Sequence, residues 1–475
     1  MSGLNGTFPL KVLTDGEVKK IYQGSVEILE EVGILFEDND ISTALREHGC
    51  TVCEHTHRVK IPSQFIEESL TKCPREFKVK SRNPKYDLLF NGTSVYCASH
   101  SAPSILDVHT GKLRKPSLAD VSKMITLVDN LENIDVLLTV TGELSDKPAE
   151  TGPEWVFAET FKKTEKTTVG PSFRDCPKWI IKMAEIVGVQ IIGVTSCTPP
   201  LYYPKQDTDA LLLYAKAGHP VTVGSGIAMG GTGPVTLAGS LVQQFAEALA
   251  GVVLVQSFCP GTGVFCLTET APLDMKVGNL AWGSIEVALF HTAQAQISRY
   301  LGLENFSLFP MSSSLVPDQQ VGYEKGMQAL IMALSGINFM SGGGGVHNES
   351  SLSFEQLIID NDIYGMVKRF LRGIAVNGET LAVNTIKEVG GERGNFLKHS
   401  HTRTCFKQEH FFPPLSTRLI YQSWEKAGAK DIVTRARERA EEIIKNHTPV
   451  PLSSEVEKEL SELLKAVEKE RLHKN

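Results

Sequence analysis

The chain has 475 residues, 41% of them hydrophobic, so it can bury a large core arranged as one big domain or a few smaller ones. A net charge of −7, with no long basic run, argues against nucleic acid as a partner. Nine scattered cysteines fit reduced thiols in a cytoplasmic protein; the N-terminus lacks a signal-peptide layout, and no apolar run reads as a membrane span.

Residues 1–90 read as a helical accessory region. Asp15 to Leu35 carries Val18, Ile21, Val26, Ile28, Leu29 and Val32 at helical spacing, with Thr14 as N-cap. A second helix covers Ile41 to Arg46, and a third opens at Pro62. Between them, Cys50, Cys53, His55 and His57 have residue types that suit zinc. The alternation of Cys53, His55 and His57 also fits a short exposed strand that needs no metal, and that is the reading taken.

From Ser94 onward, short β-branched runs alternate with amphipathic segments. Strands are expected at 94–99, 134–141, 166–171, 191–196, 220–226, 263–269, 305–311 and 336–343, each followed by a helical stretch. Residues 252–256, VVLVQ, are assigned to the preceding helix, because the short link to the next strand cannot form a parallel crossover. That assignment makes the count eight and the expected fold an α/β TIM (β/α)8 barrel over residues 91–378. A doubly wound open sheet is the alternative. Residues 379–475 form a C-terminal helical extension, with charged helices near Asp431 to Lys445 and Glu455 to Glu470, expected to pack on the barrel or on a partner subunit.

In a TIM barrel, chemistry sits at the C-terminal ends of the strands. That rule selects His100, Gly142 and Glu143, Phe173 and Arg174, Cys197, Gly226, Glu269, and the run Ser341 to Ser351 after the eighth strand. This run holds four consecutive glycines, Gly342, Gly343, Gly344 and Gly345, followed by His347, Asn348 and Glu349. Glycine weakens a strand, so four together suggest close approach of some group to the backbone, although a flexible loop would look the same. The loop holding Gly226, Gly230 and Gly231 fits neither a P-loop nor GxGxxG. No GxSxG nucleophile motif is present, and no carboxylates recur at metal-ligand spacing. His100 and His347 follow strands that neighbour each other in a closed barrel.

GTGPVTLAGSLVQQFAEALAG, CPGTGVF, LDMKVGN, QVGYEKGMQA and GNFLKHSHT together make the chain resemble the trimethylamine methyltransferase superfamily over nearly its whole length. Members of that superfamily move a methyl group from an amine to the cobalt of a separate corrinoid protein. Its founding members carry pyrrolysine in the loop after the last strand, at a position that aligns near Gly345; ordinary residues stand there in this chain. The resemblance therefore implies the non-pyrrolysine branch, which demethylates quaternary amines.

Glycine betaine, yielding dimethylglycine, is the donor expected, with proline betaine, carnitine or another trimethylammonium compound as alternatives. A non-catalytic betaine-binding protein is the alternative from another class. A quaternary ammonium needs no covalent activation, because its neutral tertiary amine leaves directly under attack by cob(I)alamin. A cation without N–H groups favours aromatic faces. Tyr96, Phe173, Phe309, Phe339 and Phe354 are the candidates, each also readable as core. His347, Asn348 and Arg174 are candidate donors to a substrate carboxylate, with His100 beside them, and His347 and Asn348 are the positioning residues expected. Glu269 or Glu143 could face the ammonium, but no carboxylate is expected to be the central contact, since strong pairing favours the charged ground state. Gly342 to Gly345, with Gly226, Gly230 and Gly231, mark the expected approach of the corrinoid. The resemblance further implies no tightly bound cofactor and self-association, and the residue pattern itself gives no metal site.

Overall fold

Eight short parallel strands close into a barrel in the computed structural model, which describes residues 8–108, 110–140, 143–348, 350–391 and 394–472. The strands are β1 Tyr96–Ser99, β2 Val136–Leu137, β3 Thr167–Gly170, β4 Ile192–Gly193, β5 Val221–Ser225, β6 Val264–Thr268, β7 Glu304–Ser307 and β8 Phe339–Gly343. β8 closes the ring on β1, with Phe339 beside Tyr96 and Met340 beside Cys97. Seven of the strands fall inside the ranges expected from the alternating pattern, and β7 starts one residue before its range, at Glu304. The helices that follow are α1 Leu118–Asn130, α2 Gly152–Lys163, α3 Pro177–Val187, α4 Lys205–Lys216, α5 Leu237–Phe258, α6 Ile285–Leu301, α7 Gln319–Ser335 and α8 Phe354–Leu371. The architecture is the TIM barrel expected from sequence.

VVLVQ lies inside α5, as the crossover argument required. The sequence reading of no membrane-length apolar run needs correction: α5 is long and apolar enough to cross a membrane by length and composition. Its side chains are mostly buried within the fold instead, packed against β5 and the N-terminal helices. Close packing elsewhere on the barrel depends on small strand residues. At Gly193 a Cβ would lie 2.5 Å from the ring of Tyr214 on α4, so glycine lets this helix sit directly on the sheet.

The first helix ends at Glu31 rather than Leu35. Gly33 turns the chain at φ +75°, and Leu35–Phe36 then pairs with Tyr202–Tyr203. Thr14 caps this helix in a capping box with Glu17. Cys53, His55 and His57 lie in the turn of a hairpin, not along a strand: Thr51–Val52 pairs with Val59–Lys60, and His57 takes φ +55°. Among the described residues, no group of three or more His, Cys, Asp and Glu is placed to hold a metal ion.

A second hairpin, Phe77–Val79 with Leu88–Phe90, plugs the N-terminal end of the barrel. Phe90 meets Phe265 edge-on at 4.7 Å between ring centroids, and Phe306 stacks on Phe339 at 4.0 Å. At the other end of the chain, the helix Ile432–Asn446 packs on α8, and Ser454–Leu472 packs on α2 and α3. Arg471 reaches the buried Glu154 at 2.9 Å, and Trp155 Nε1 donates to Glu468 at 3.1 Å. This extension therefore braces the outer wall of the barrel.

The glycine run is buried from Gly342 to Gly345, with its rim covered by a small sheet. Gly345–Val346 pairs with Ser351–Leu352, which lies beside Ser104–Asp107 and then Lys112–Arg114. Close approach here comes from the protein itself, and the corrinoid path expected over these glycines stays a proposal. A Cβ on Gly342 would stand 1.9 Å from the Pro310 carbonyl oxygen, at φ +99°. The Lys325 ammonium donates to Gly342 O at 2.6 Å and to Asp360 at 2.8 Å, while Gly344 N–H donates to Asp360 at 2.7 Å. Substituting Gly342→Ala therefore forces both a left-handed backbone and a clash, and is expected to cost ~2 kcal/mol or more, measured as a lower denaturant midpoint with unchanged slope.

Candidate active site

A cavity of about 320 Å3 opens at the C-terminal end of the barrel, offset toward β1 to β4. Its floor is the top of the barrel core: Leu138, Val169, Val194, Leu267 and Leu308. α2 supplies one wall through Pro153, Val156 and Phe157, which share a face because they lie three and four residues apart. The loop after β3 adds Ser172 and Phe173, and the loop after β1 adds His100 and Ser101. Phe157 and Phe173 are the aromatic side chains of the described lining, and Glu269 is its carboxylate.

Glu269 follows the last residue of β6, and its peptide N–H donates to Ser225 O at 3.4 Å. Gly226 stands against it, since a Cβ there would lie 3.1 Å from the Glu269 Cβ. The side chain is half-buried, its remaining surface facing a cavity it lines. Burial among apolar neighbours raises its pKa from 4.5 to about 7. Thr139 Oγ1, also of the lining, is buried without a hydrogen-bond partner. Thr195, by contrast, spends its hydroxyl on Thr222 O at 2.9 Å.

Of the residues selected from sequence, His100, Phe173 and Glu269 line this cavity together. The others are placed elsewhere. Tyr96 and Phe339 lie at the starts of their strands and belong to the aromatic plug, where Tyr96 Oη accepts from Leu89 N–H at 2.9 Å. Phe309 is fully buried against His291, 4.5 Å between ring centroids, and Phe354, the first residue of α8, packs against the core.

Arg174 sits at the mouth rather than in the lining, 3.7 Å from Glu143 and donating to Ala149 O. The His347 ring binds the Ser350 hydroxyl at 2.9 Å, and His347 and Asn348 both take positive φ in the turn beyond Gly345–Val346. That turn is outside the cavity lining, so His100 and His347 are not brought together as a pair there. Gly230 and Gly231 are exposed on the rim above β5. Gly142 and Glu349 lie outside the described residues.

Phe157, Thr139 and the floor residues escaped the sequence reading. Phe157 lies on a helix, and helices were set aside when strand ends were searched. The one available signal was the apolar face of Pro153, Val156 and Phe157 at the start of α2. Buried thiols supply no nucleophile here: Cys97 and Cys266 have pKa values pushed up to about 12 by burial, which keeps them protonated.

A closed parallel barrel with an enclosed, carboxylate-bearing cavity at its C-terminal rim defines a TIM-barrel enzyme. Residues 3–471 match the model of the trimethylamine methyltransferase (MTTB) family, and the chain belongs to that family and is a methyltransferase. A glycine betaine methyltransferase of Desulfitobacterium hafniense is 32% identical over 461 residues, covering 94% of this chain and 95% of the relative. The trimethylamine methyltransferase MttB of Methanosarcina barkeri is 31% identical over 488 residues, covering 98% and 97%. The crystal structure of the hydroxylamine MtmB complex shares the fold at a TM-score of 0.53 and 14% identity, covering 92% of this chain and 89% of that one.

The Glu269 pKa sets two pH dependences of opposite sign. Folded Glu269 keeps a proton that the unfolded chain has lost between pH 4.5 and about 7, so it subtracts stability as pH rises through that window. A bound cation favours the ionised form, so cation affinity rises over the same range and levels off above about pH 7. Calorimetric titration with tetramethylammonium should show this rise, and Glu269→Gln should flatten it.

Proposed function

We propose that this methyltransferase takes a methyl group from a quaternary amine and delivers it to the Co(I) of a corrinoid carried by a separate protein. The observation that carries this reading is the cavity: apolar and aromatic walls around one carboxylate among the described lining residues. The corrinoid, when docked, supplies a strong nucleophile.

The residues of the chain have the other tasks. Phe157, Phe173 and the aliphatic floor exclude water from the ammonium group, and Glu269 offers the counter-charge. Held in this way, one N–CH3 bond can point out of the mouth toward the cobalt. That C–N bond breaks with its electron pair on nitrogen, leaving a neutral tertiary amine, while the methyl carbon accepts the pair that Co(I) provides.

No pyrrolysine takes part in this reading. The name of the D. hafniense relative makes glycine betaine the reference donor, with proline betaine and carnitine beside it. Self-association belongs to the proposal as well, and apolar side chains exposed between Ile374 and Tyr421 are a surface it would cover.

Purified chain mixed with cob(I)alamin and a panel of quaternary amines should consume Co(I) and form methylcobalamin, followed by absorption. No methylation with any donor would sink the proposal. Glu269→Gln is expected to lower kcat/KM about tenfold or more, while His347→Ala stays within about threefold of the unaltered protein. The reverse ranking would return the site to the β8 loop.

A further inference from the structure

The cavity is electrostatically one-sided. Glu269 is its carboxylate, and no lysine or arginine is among the described residues that line it. The nearest arginine in sequence to the lining, Arg174, is exposed at the mouth and committed to Glu143 and the Ala149 carbonyl. A zwitterionic betaine brings a carboxylate within a few atoms of its ammonium. In this cavity that carboxylate would lose bulk water, meet no cationic side chain of Lys or Arg type, and stand close to a like charge in a low-dielectric site. The cavity polar atoms suit an uncharged group instead. Thr139 is 7% exposed, and its hydroxyl oxygen is buried with no partner. Ser101, Ser172 and Ser196 add further hydroxyls to the lining.

We infer that the preferred methyl donor is a quaternary ammonium ion of net charge +1, bearing a hydroxyl or alkyl arm in place of a carboxylate. Glu269 selects the charge, and Thr139 receives the hydroxyl of the arm. The inference rests on the methyltransferase reading above and narrows its substrate class. It separates this chain from a relative whose name specifies a betaine, despite 32% identity. Its charge logic is that of discrimination by a misplaced group: a buried carboxylate facing Glu269 is a penalty that an alcohol or methyl group does not carry.

The test compares choline, tetramethylammonium, glycine betaine and proline betaine in two assays on the full chain at pH 8: calorimetric binding and methylation of cob(I)alamin. Choline is expected to bind at least tenfold more tightly than glycine betaine and to have the higher kcat/KM. Glu269→Gln, close to isosteric, should erase most of that preference. Thr139→Val should weaken choline severalfold more than it weakens tetramethylammonium, which has no hydroxyl.

Equal or tighter binding of glycine betaine overturns the inference, as does a choline preference that survives Glu269→Gln. If the betaines methylate cobalamin well and choline does not, only the charge assignment falls. If no quaternary amine methylates cobalamin, the methyltransferase reading itself fails and carries this inference down with it.

Discussion

The interior of a closed barrel has to be filled, and how this one is filled decides where a ligand can go. Side chains normally occupy such a barrel in layers. Here the lower end is packed by rings: Phe77 and Phe90 from the N-terminal hairpin against Phe265, with Phe306 stacked on Phe339. Above them, Leu138, Val169, Val194, Leu267 and Leu308 close the core, and the space over those side chains is left open. The accessory region thus supports the candidate site at one remove. Its aromatic plug supplies the support on which the cavity floor rests.

The same logic of support explains the glycine run after β8. Four glycines would be a mobile loop if nothing held them. Lys325 and Asp360, 1% and 2% exposed, instead tie Gly342 O and Gly344 N–H into one buried ion pair, and Tyr364 Oη donates to Ser341 O at 2.7 Å. A buried pair of this sort is weak evidence for net stability, but breaking it leaves an uncompensated charge, so it specifies one conformation strongly. The glycines allow the backbone to reach those partners and Pro310. They are the means by which the rim becomes rigid, and the opening lies over other strands.

Much of the barrel was legible because its pattern is repetitive. Eight β-branched runs, each followed by an amphipathic helix, leave few alternatives, and the link after VVLVQ is too short for a parallel crossover. The site was legible only where strand order fixes position: His100, Phe173 and Glu269 each follow a strand end and each lines the cavity. Tyr96 and Phe339 misled because an aromatic at the beginning of a strand lies at the opposite end of the barrel from one just after it. Phe309 misled for a different reason, since the chain beyond β7 turns that ring outward against His291. Phe157 and Thr139 could not be ranked without knowing which helix face and which strand residues border the open space.

In the proposed reaction, a carboxylate beside a quaternary ammonium raises a physical objection, since attraction in the ground state is lost when nitrogen becomes neutral. The environment of Glu269 reduces that cost. Its pKa of about 7 arises from desolvation alone, so the unpaired carboxylate is already near balance with its acid. While the cation is bound, the ionised form is favoured. Once the methyl leaves, the charge that favoured it disappears, and near neutral pH the carboxylate can take up a proton at little cost. The same apolar walls that make the cation hard to hold without a counter-charge thus make that counter-charge easy to neutralise afterwards. A fully solvated glutamate, with its pKa near 4.5, would remain charged through the whole cycle and offer no such relief.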